Sequence, residues 1–98
     1  MQDWLNTERD WIVYLMSNHN YRYVGITSTT MRDRLKRHKK FALNPDSNTL
    51  LHNAMRRTGF GGWRMKRLTR MRGTYYDARE VERSYMYLSN LNESLNPY

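Results

Sequence analysis

The chain of 98 residues contains no cysteine. This absence excludes a disulfide framework, a thiolate metal site and a cysteine nucleophile. No stretch approaches the length of about 18 apolar residues that a membrane-spanning helix needs. Residues 1–10 are polar and partly acidic, which is not typical of a signal peptide. We therefore expect one domain, residues 1–98, in a reducing compartment that is cytoplasmic or nuclear, and no secretion.

Acidic residues are unevenly spread, and residues 47–76 contain none. Residues 31–40 hold six basic residues against one acid, Asp33. The formal net charge is +8, and the sequence pI is about 10.1. A basic field of this kind attracts polyphosphates and steers their association. The charge therefore favours a nucleic-acid partner, and a solvated basic surface without a specific partner is the alternative.

The first half of the chain predicts a β-hairpin followed by a helix. Residues 11–16 are apolar and β-branched, residues 21–26 alternate, and the polar residues 17–20 between them are typical of a turn. Hydroxyl side chains at 27–30 can cap a helix over 31–41. The apolar side of that helix carries Met31, Leu35 and Ala42, with His38 beside them.

The second half predicts a helix, a strand and a final helix. A break at 44–48 precedes a helix over 49–57. Residues 63–71 alternate between apolar and basic side chains, as in a half-exposed strand. After a turn at 72–76, Asp77 can cap a helix over 78–89. The predicted order is β-β-α-α-β-α, an α+β fold with a three-stranded sheet and three helices.

The last predicted helix carries a carboxylate on its apolar stripe. Positions 78, 81, 82, 85 and 86 share one face by the i, i+3, i+4 rule, and Glu82 is the only acid among them. A buried, unpaired carboxylate is costly, so Glu82 needs a metal ion or an arginine such as Arg34. Glu80 falls off this stripe and should be a solvated surface acid.

Arg34 and His38 lie one helical turn apart and share a face of the first predicted helix. The planar guanidinium of Arg34 suits a phosphate oxygen, and His38 can donate a hydrogen bond. The alternatives are a solvated arginine and a half-buried histidine bonded to the backbone.

Two tyrosine triplets, Ile12-Val13-Tyr14 and Tyr23-Val24-Gly25, lie on the two strands of the predicted hairpin. Tyrosines near a cation can act as general bases, because positive charge favours the phenolate. Two core aromatics are the alternative. Gly25 would allow a helix or a substrate to approach the backbone closely, unless it only ends the strand.

These triplets, the Arg34–His38 pair and Glu82 resemble, in this order, the GIY-YIG nuclease family from about Trp11 to Asn96. Ile12 stands where that family has its first glycine. The resemblance implies a compact three-stranded sheet flanked by helices. It also implies a divalent-metal-dependent DNA endonuclease that hydrolyses phosphodiester bonds.

The resemblance also implies roles for individual residues. Glu82 would be the sole protein ligand of one Mg²⁺ (or Mn²⁺) ion, and Arg34 and His38 would contact the phosphate or the leaving oxygen. Tyr14 or Tyr23 would be the general base. Asn96, with Asn92 as second candidate, would brace the site. The expected catalytic set is Tyr14, Tyr23, Arg34, His38, Glu82 and Asn96.

The basic segments supply the expected DNA contacts. By strand alternation, Arg64, Lys66 and Arg70 would lie on one side of the third strand, with Met65 and Arg67 on the other. The expected DNA-binding residues are Lys36, Arg37, Lys39, Lys40, Arg56, Arg57, Arg64 and Lys66.

Other conspicuous side chains have simpler expectations. His19 and His52 have no ligand partner at metal-binding spacing, so we expect both at the surface. Trp63 is expected in the core or at the sheet edge.

The segment 50–68 is similar to homing and phage-type relatives, which typically carry a separate DNA-recognition region. We expect either the catalytic domain of a larger protein or a small freestanding nuclease of a virus or mobile element. Two alternatives stay open: a catalytically silent nucleic-acid-binding module with the same fold, and a basic structural or regulatory protein. The oligomeric state and the target sequence do not follow from the sequence.

Overall fold

The computed structural model describes residues 3–44, 46 and 49–88. The predicted order β-β-α-α-β-α is confirmed, with one short additional helix at its start. None of the helices in the described part of the chain has the length and apolar character needed to cross a bilayer. The elements are α1 (Asp3–Asn6), β1 (Arg9–Ser17), β2 (Arg22–Thr27), α2 (Met31–Ala42), α3 (Leu50–Thr58), β3 (Arg64–Gly73) and α4 (Tyr75–Leu88).

The three strands form one antiparallel sheet in the order β2-β1-β3. The hairpin register pairs Tyr14 with Gly25 and Met16 with Tyr23. In the turn, the Oδ1 atom of Asn18 accepts hydrogen bonds of 2.8 Å from the backbone N–H groups of Asn20 and Tyr21. This side chain replaces backbone partners that the turn lacks, so it stabilises the predicted hairpin.

The register between β1 and β3 shifts at one point. Val13 pairs with Thr69 and Tyr14 with Arg67, which leaves Leu68 as an extra residue in β3. Such a bulge interrupts strict alternation. Arg67 and Arg70 therefore line the same cavity, beside Thr30 and Asp33 of the α2 start. The prediction that alternation puts them on opposite sides is wrong for this reason.

The main core lies between β1 and α3. Tyr14 and Met16, two residues apart on one strand, pack with Leu51, Ala54 and Met55 of α3. Trp63, which joins the same cluster, is buried as expected. The period of two predicts that Val13 points to the opposite sheet face, and it is fully buried there. Since α4 contacts all three strands, both faces of the sheet are covered.

Threonine side chains begin the three longer helices. Thr30 and Thr49 accept hydrogen bonds of 3.1 Å from the backbone N–H groups of Asp33 and His52. Before α4, the backbone N–H of Thr74 donates to Asp77 (2.9 Å), and the N–H of Asp77 donates back to the Thr74 hydroxyl (3.2 Å). This reciprocal box makes Thr74 the capping residue. The helix thus begins at Tyr75, earlier than predicted, with Asp77 inside its first turn.

Candidate active site

A groove of about 480 Å³ opens beside β2, the edge strand that follows the hairpin turn. Tyr23 comes from β2, Arg34 from α2 and Glu82 from α4, and all three line this groove. The fold therefore brings together three predicted site residues that are far apart in the chain. Other lining residues are Trp4, Trp11, Ile26, Thr27, Ser28, Thr29, Arg37, Tyr75 and Arg79.

Glu82 is the carboxylate of the groove, and only 6% of its surface is exposed. Burial raises the pKa of Glu82, while the charges of Arg79 and Arg34 oppose the shift. Glu80, two residues earlier, is exposed, so the predicted difference between the two acids is confirmed.

Arg79 is the cation that pairs with Glu82, through its Nε atom at 3.1 Å from Oε1. Its Nη1 atom also donates a hydrogen bond of 3.1 Å to the Tyr75 hydroxyl. The sequence offered Arg34 as the arginine partner in the alternative to a metal ion; in the structure Arg79 forms the ion pair, and Arg34 affects Glu82 through its charge. Arg79 lies three residues before Glu82 on the same helix, and that spacing was the signal that could have found it.

Tyr14 is fully buried, and its hydroxyl points into the protein. The hydroxyl lies 2.8 Å from Nε2 of His38 and accepts a longer hydrogen bond, 3.4 Å, from Nε of Arg34. Burial raises the pKa of Tyr14, and the hydrogen bond from Arg34 opposes this effect. Tyr14 is therefore a neutral phenol at physiological pH.

Gly25 explains how Tyr14 reaches this position. A Cβ at Gly25 would collide with the phenol of Tyr14 and would lie 2.9 Å from Cε2 of Tyr23. The glycine thus makes room for the tyrosine paired with it across the hairpin. A helix or a substrate was expected to approach Gly25. In the structure, the side chain of Tyr14 occupies that space.

Tyr23 is the tyrosine that lines the groove. Its ring centroid lies 6.4 Å from that of Tyr14. The pKa of Tyr23 is raised overall, because burial and the charge of Glu82 outweigh the opposing charges of Arg34 and Arg79. The two tyrosines are therefore neighbours with different surroundings, one enclosed in the core and one facing the open site.

His38 and His52 form a buried pair, with Nδ1 of His38 at 3.3 Å from Nε2 of His52. Burial, followed by Arg34 and His52, lowers the pKa of His38 to about 3. The prediction of His52 at the surface is wrong, since only 8% of it is exposed. The packing of α3 on α2 covers it. His52 lies three residues before the buried Met55, and this helical spacing was the available signal.

A comparison with protein-family models matches residues 10–96 to the GIY-YIG catalytic domain. The chain belongs to the GIY-YIG family. This assignment confirms the resemblance drawn from the triplets, and it places the chain in a family of nucleases. Separate comparisons with curated proteins and with solved structures found no significant match.

Most of the basic residues expected to contact nucleic acid lie at the surface of this GIY-YIG domain. Lys39 is only partly exposed, and Arg37 lies at the groove, with its guanidinium 5.8 Å from the Phe41 ring centroid. The exposed members are Lys36, Arg37, Lys40, Arg57, Arg64 and Lys66. Their contacts with DNA stay a prediction.

Arg56 differs from the other basic residues because its guanidinium is bonded within the protein. Its Nη1 donates to the carbonyl oxygens of Ala42 (2.8 Å) and Asn44 (3.0 Å), and its Nη2 donates to Asn53. These bonds fasten the end of α2 to α3. Its role as a DNA contact stays a prediction, and the structure shows a structural use for the side chain.

His19 is exposed in the hairpin turn, as expected. Asn96, and Asn92 as second candidate, lie outside the described residues. The brace predicted at Asn96 therefore stays a prediction.

Proposed function

We propose that this GIY-YIG domain is a divalent-metal-dependent DNA endonuclease that hydrolyses phosphodiester bonds. The observation that supports this most is the convergence of Tyr23, Arg34 and Glu82 on one groove. Together they offer a proton acceptor, a fixed positive charge and a carboxylate. Hydrolysis of a phosphodiester needs an activated water and stabilisation of charge on the phosphate, which these groups can supply.

The chemistry of the donor set fits one Mg²⁺ (or Mn²⁺) ion. Within the described residues, no group of three or more His, Cys, Asp or Glu side chains could enclose a metal. Glu82 is the carboxylate at the groove, and the groove has room for ordered water. Mg²⁺ commonly keeps several waters and binds through one or two carboxylates. Glu82 would hold the ion, which would supply positive charge against the phosphate when bound.

Arg34 and Tyr23 would carry the protein's own part of the reaction. Arg34 can hold a phosphate oxygen through its positively charged, planar guanidinium. Tyr23 oxygen would accept the proton of the attacking water when it is a phenolate. The positive charges of Arg34 and Arg79 favour that form, but burial and the charge of Glu82 outweigh them, so the pKa of Tyr23 is raised overall.

The DNA backbone would be held by the exposed basic residues around this groove. Arg37 lies at its wall, and Lys36 and Lys40 are exposed on the same helix, α2. Contacts of this kind bind phosphates and do not select bases. We extend the proposal to a homing or phage-type nuclease acting where DNA is found, in the cytoplasm or nucleus. The similarity of segment 50–68 to such relatives supports this extension.

A nicking assay on supercoiled plasmid, with Mg²⁺, Mn²⁺ or a chelator, tests the proposal. Glu82→Gln should lower the nicking rate by roughly 10³-fold or more, because it removes the metal ligand. DNA affinity should stay equal or rise, since a negative charge beside the phosphate is lost. Glu80→Gln is the matched control, an exposed acid on the same helix, and should cut like the wild type. Cleavage by Glu82→Gln at the wild-type rate would refute the role of Glu82.

One observation favours a second candidate, a catalytically silent nucleic-acid-binding module with the same fold. Glu82 already has a cation partner in Arg79, and burial raises the pKa of Glu82. A carboxylate satisfied in this way needs no metal. This candidate predicts salt-dependent DNA binding by the wild type without nicking at any Mg²⁺ concentration.

A further inference from the structure

A chain of polar contacts runs from helix α3 through the core to the groove. Nε2 of His52 lies 3.3 Å from Nδ1 of His38, and Nε2 of His38 lies 2.8 Å from the Tyr14 hydroxyl. Nε of Arg34 lies 3.4 Å from the same hydroxyl. The first three residues are buried, with exposures of 8%, 4% and 0%, whereas Arg34 lines the groove.

The direction of these hydrogen bonds follows from counting protons. Nε of Arg34 always carries a hydrogen, so it donates and the Tyr14 oxygen accepts. The phenol of Tyr14 has one proton of its own, and His38 Nε2 is the acceptor in contact with it. His38 must then carry its proton on Nδ1 and donate to Nε2 of His52. A neutral His52 consequently carries its proton on Nδ1.

The opposite direction of these hydrogen bonds would leave a buried donor without an acceptor. If His38 carried its proton on Nε2, the Tyr14 oxygen would face two donors, from His38 and from Arg34. The phenolic proton of the fully buried Tyr14 would then have no acceptor among these four groups. In the described part of the chain, no buried side-chain nitrogen or oxygen lacks a hydrogen-bond partner. Only the forward direction gives each of these four groups a compatible partner.

We propose that His52 is a positioning residue of the active site, whose Nε2 lone pair holds His38 in the Nδ1–H form. Tyr14 must then donate to His38, and its oxygen lone pair remains available to hold Arg34 at the groove. This arrangement has the logic of a nucleophile–base–orienting-group triad, with a neutral histidine as the orienting group. The consequence for catalysis rests on the proposed nuclease function, whereas the arrangement of protons does not.

The surroundings keep His52 able to accept. Its pKa is lowered by burial and by the positive charges of Arg56 and Arg34, which face it from α3 and α2. Those charges disfavour the doubly protonated ring, in which Nε2 would be a donor, while the position of the single proton of the neutral ring follows from the hydrogen-bond count above. His52 therefore stays neutral at physiological pH.

Nuclear magnetic resonance of the ¹⁵N-labelled full chain tests the proton arrangement directly at neutral pH. Two-bond correlations between ring protons and nitrogens distinguish the protonated nitrogen of each histidine. The expected result is an Nδ1–H form for both His38 and His52. A predominantly Nε2–H form of His38 in the wild type would overturn the inference, whether or not the protein cuts DNA.

Two substitutions separate positioning from packing. His52→Gln retains an amide that can accept near the position of Nε2, whereas His52→Leu keeps bulk but removes the acceptor. We expect His38 to keep its Nδ1–H form in the first variant and to become a mixture of tautomers in the second. His19→Gln and His19→Leu are the controls, at an exposed histidine. An unchanged His38 tautomer in His52→Leu would overturn the role of His52.

The kinetic arm uses the same variants. His52→Leu should lower kcat about 10-fold or more, as loss of residues that orient a site commonly does. KM should change little, because the lost interaction matters in the transition state. His52→Gln should recover most of kcat. Equal losses of kcat in His52→Gln and His52→Leu would overturn the effect of His52 on catalysis. A wild type that never cuts DNA would refute only the proposed nuclease function. If His52→Leu does not fold, the wild-type tautomer and the His52→Gln variant decide.

Discussion

The two tyrosines of the hairpin, Tyr14 and Tyr23, lie in regions that differ in charge and burial. Tyr14, His38 and His52 form a buried, neutral hydrogen-bonded chain, whereas Tyr23, Arg34 and Glu82 lie at an open, charged groove. Arg34 belongs to both, because its Nε contacts Tyr14 while the residue lines the groove. The groups suited to reaction line an open groove, even where, like Glu82, they are largely buried, and the groups that hold them lie in the core.

Replacement of each tyrosine by phenylalanine gives the sharpest test of this division. Tyr23→Phe should lower the nicking rate roughly 10²-fold or more, the range of a lost general base, with little change in stability. Tyr14→Phe should cost about 1–3 kcal/mol of unfolding free energy, because it leaves His38 without its buried donor. Its rate should fall less.

Initial nicking rates and urea unfolding curves measure the two effects. The proteins need the same preparation, and rates should be taken where both variants are fully folded. If Tyr14→Phe stopped cleavage at unchanged stability while Tyr23→Phe cut normally, the buried and open roles would have to be exchanged.

Arg34, which joins the two regions, gives the next largest effect. Arg34→Lys keeps the positive charge but loses the Nε contact with Tyr14 and the planar guanidinium. The nicking rate should fall about 10²-fold, as when one donor to a developing negative charge is removed. Lys36→Arg, at an exposed position on the same helix, should change affinity more than rate. Equal effects on rate would indicate a diffuse basic surface in place of a site.

The buried region predicts a pH dependence of stability. The pKa of His38 is lowered from 6.5 to about 3 in the folded protein, so the unfolded chain binds the extra proton first. Stability should therefore be full above about pH 6.5 and decline as the pH falls towards 3, by up to about 1.4 kcal/mol per pH unit for one proton. The lowered pKa of His52 acts in the same direction.

Urea unfolding between pH 4 and 8 measures this slope. His38→Gln should reduce it, with a remainder from His52, and His19→Gln, at the exposed histidine, should leave it unchanged. A slope that is unchanged in His38→Gln would assign the effect to other groups.

The smallest expected effect lies outside both regions, on the basic surface. Replacing both Arg64 and Lys66 by alanine should weaken binding similarly on unrelated duplexes. It should lower the slope of log K against log salt by about two units, near one for each lost phosphate contact. Arg56→Ala should mainly lower stability, because Arg56 is bonded to backbone carbonyls of Ala42 and Asn44.

A salt series on two duplexes, with each variant's unfolding curve, separates these outcomes. Loss of binding to one duplex alone would make Arg64 or Lys66 a reader of bases. An unchanged slope in the double variant would mean that these two side chains do not contact DNA.

Much of the fold follows from local patterns that act over a few residues. An apolar segment and an alternating segment around a polar turn predict the hairpin, and the hydroxyl before Met31 predicts the start of helix α2. Spacing on one helix likewise placed Arg34 beside His38 and separated Glu82 from Glu80. The α4 boundary was missed because a reciprocal cap at Thr74 competes with the one expected at Asp77.

The sequence by itself determined the order of elements, the basic field and the residue types from which the site is built, because propensity, charge and periodicity are local properties. Only the tertiary structure decided whether Tyr14 or Tyr23 faces the groove, since the alternation of side chains along each strand does not distinguish between them. It also buried His52, by packing α3 on α2. These outcomes depend on which surfaces meet across distant segments, and burial and partner choice are properties of that meeting.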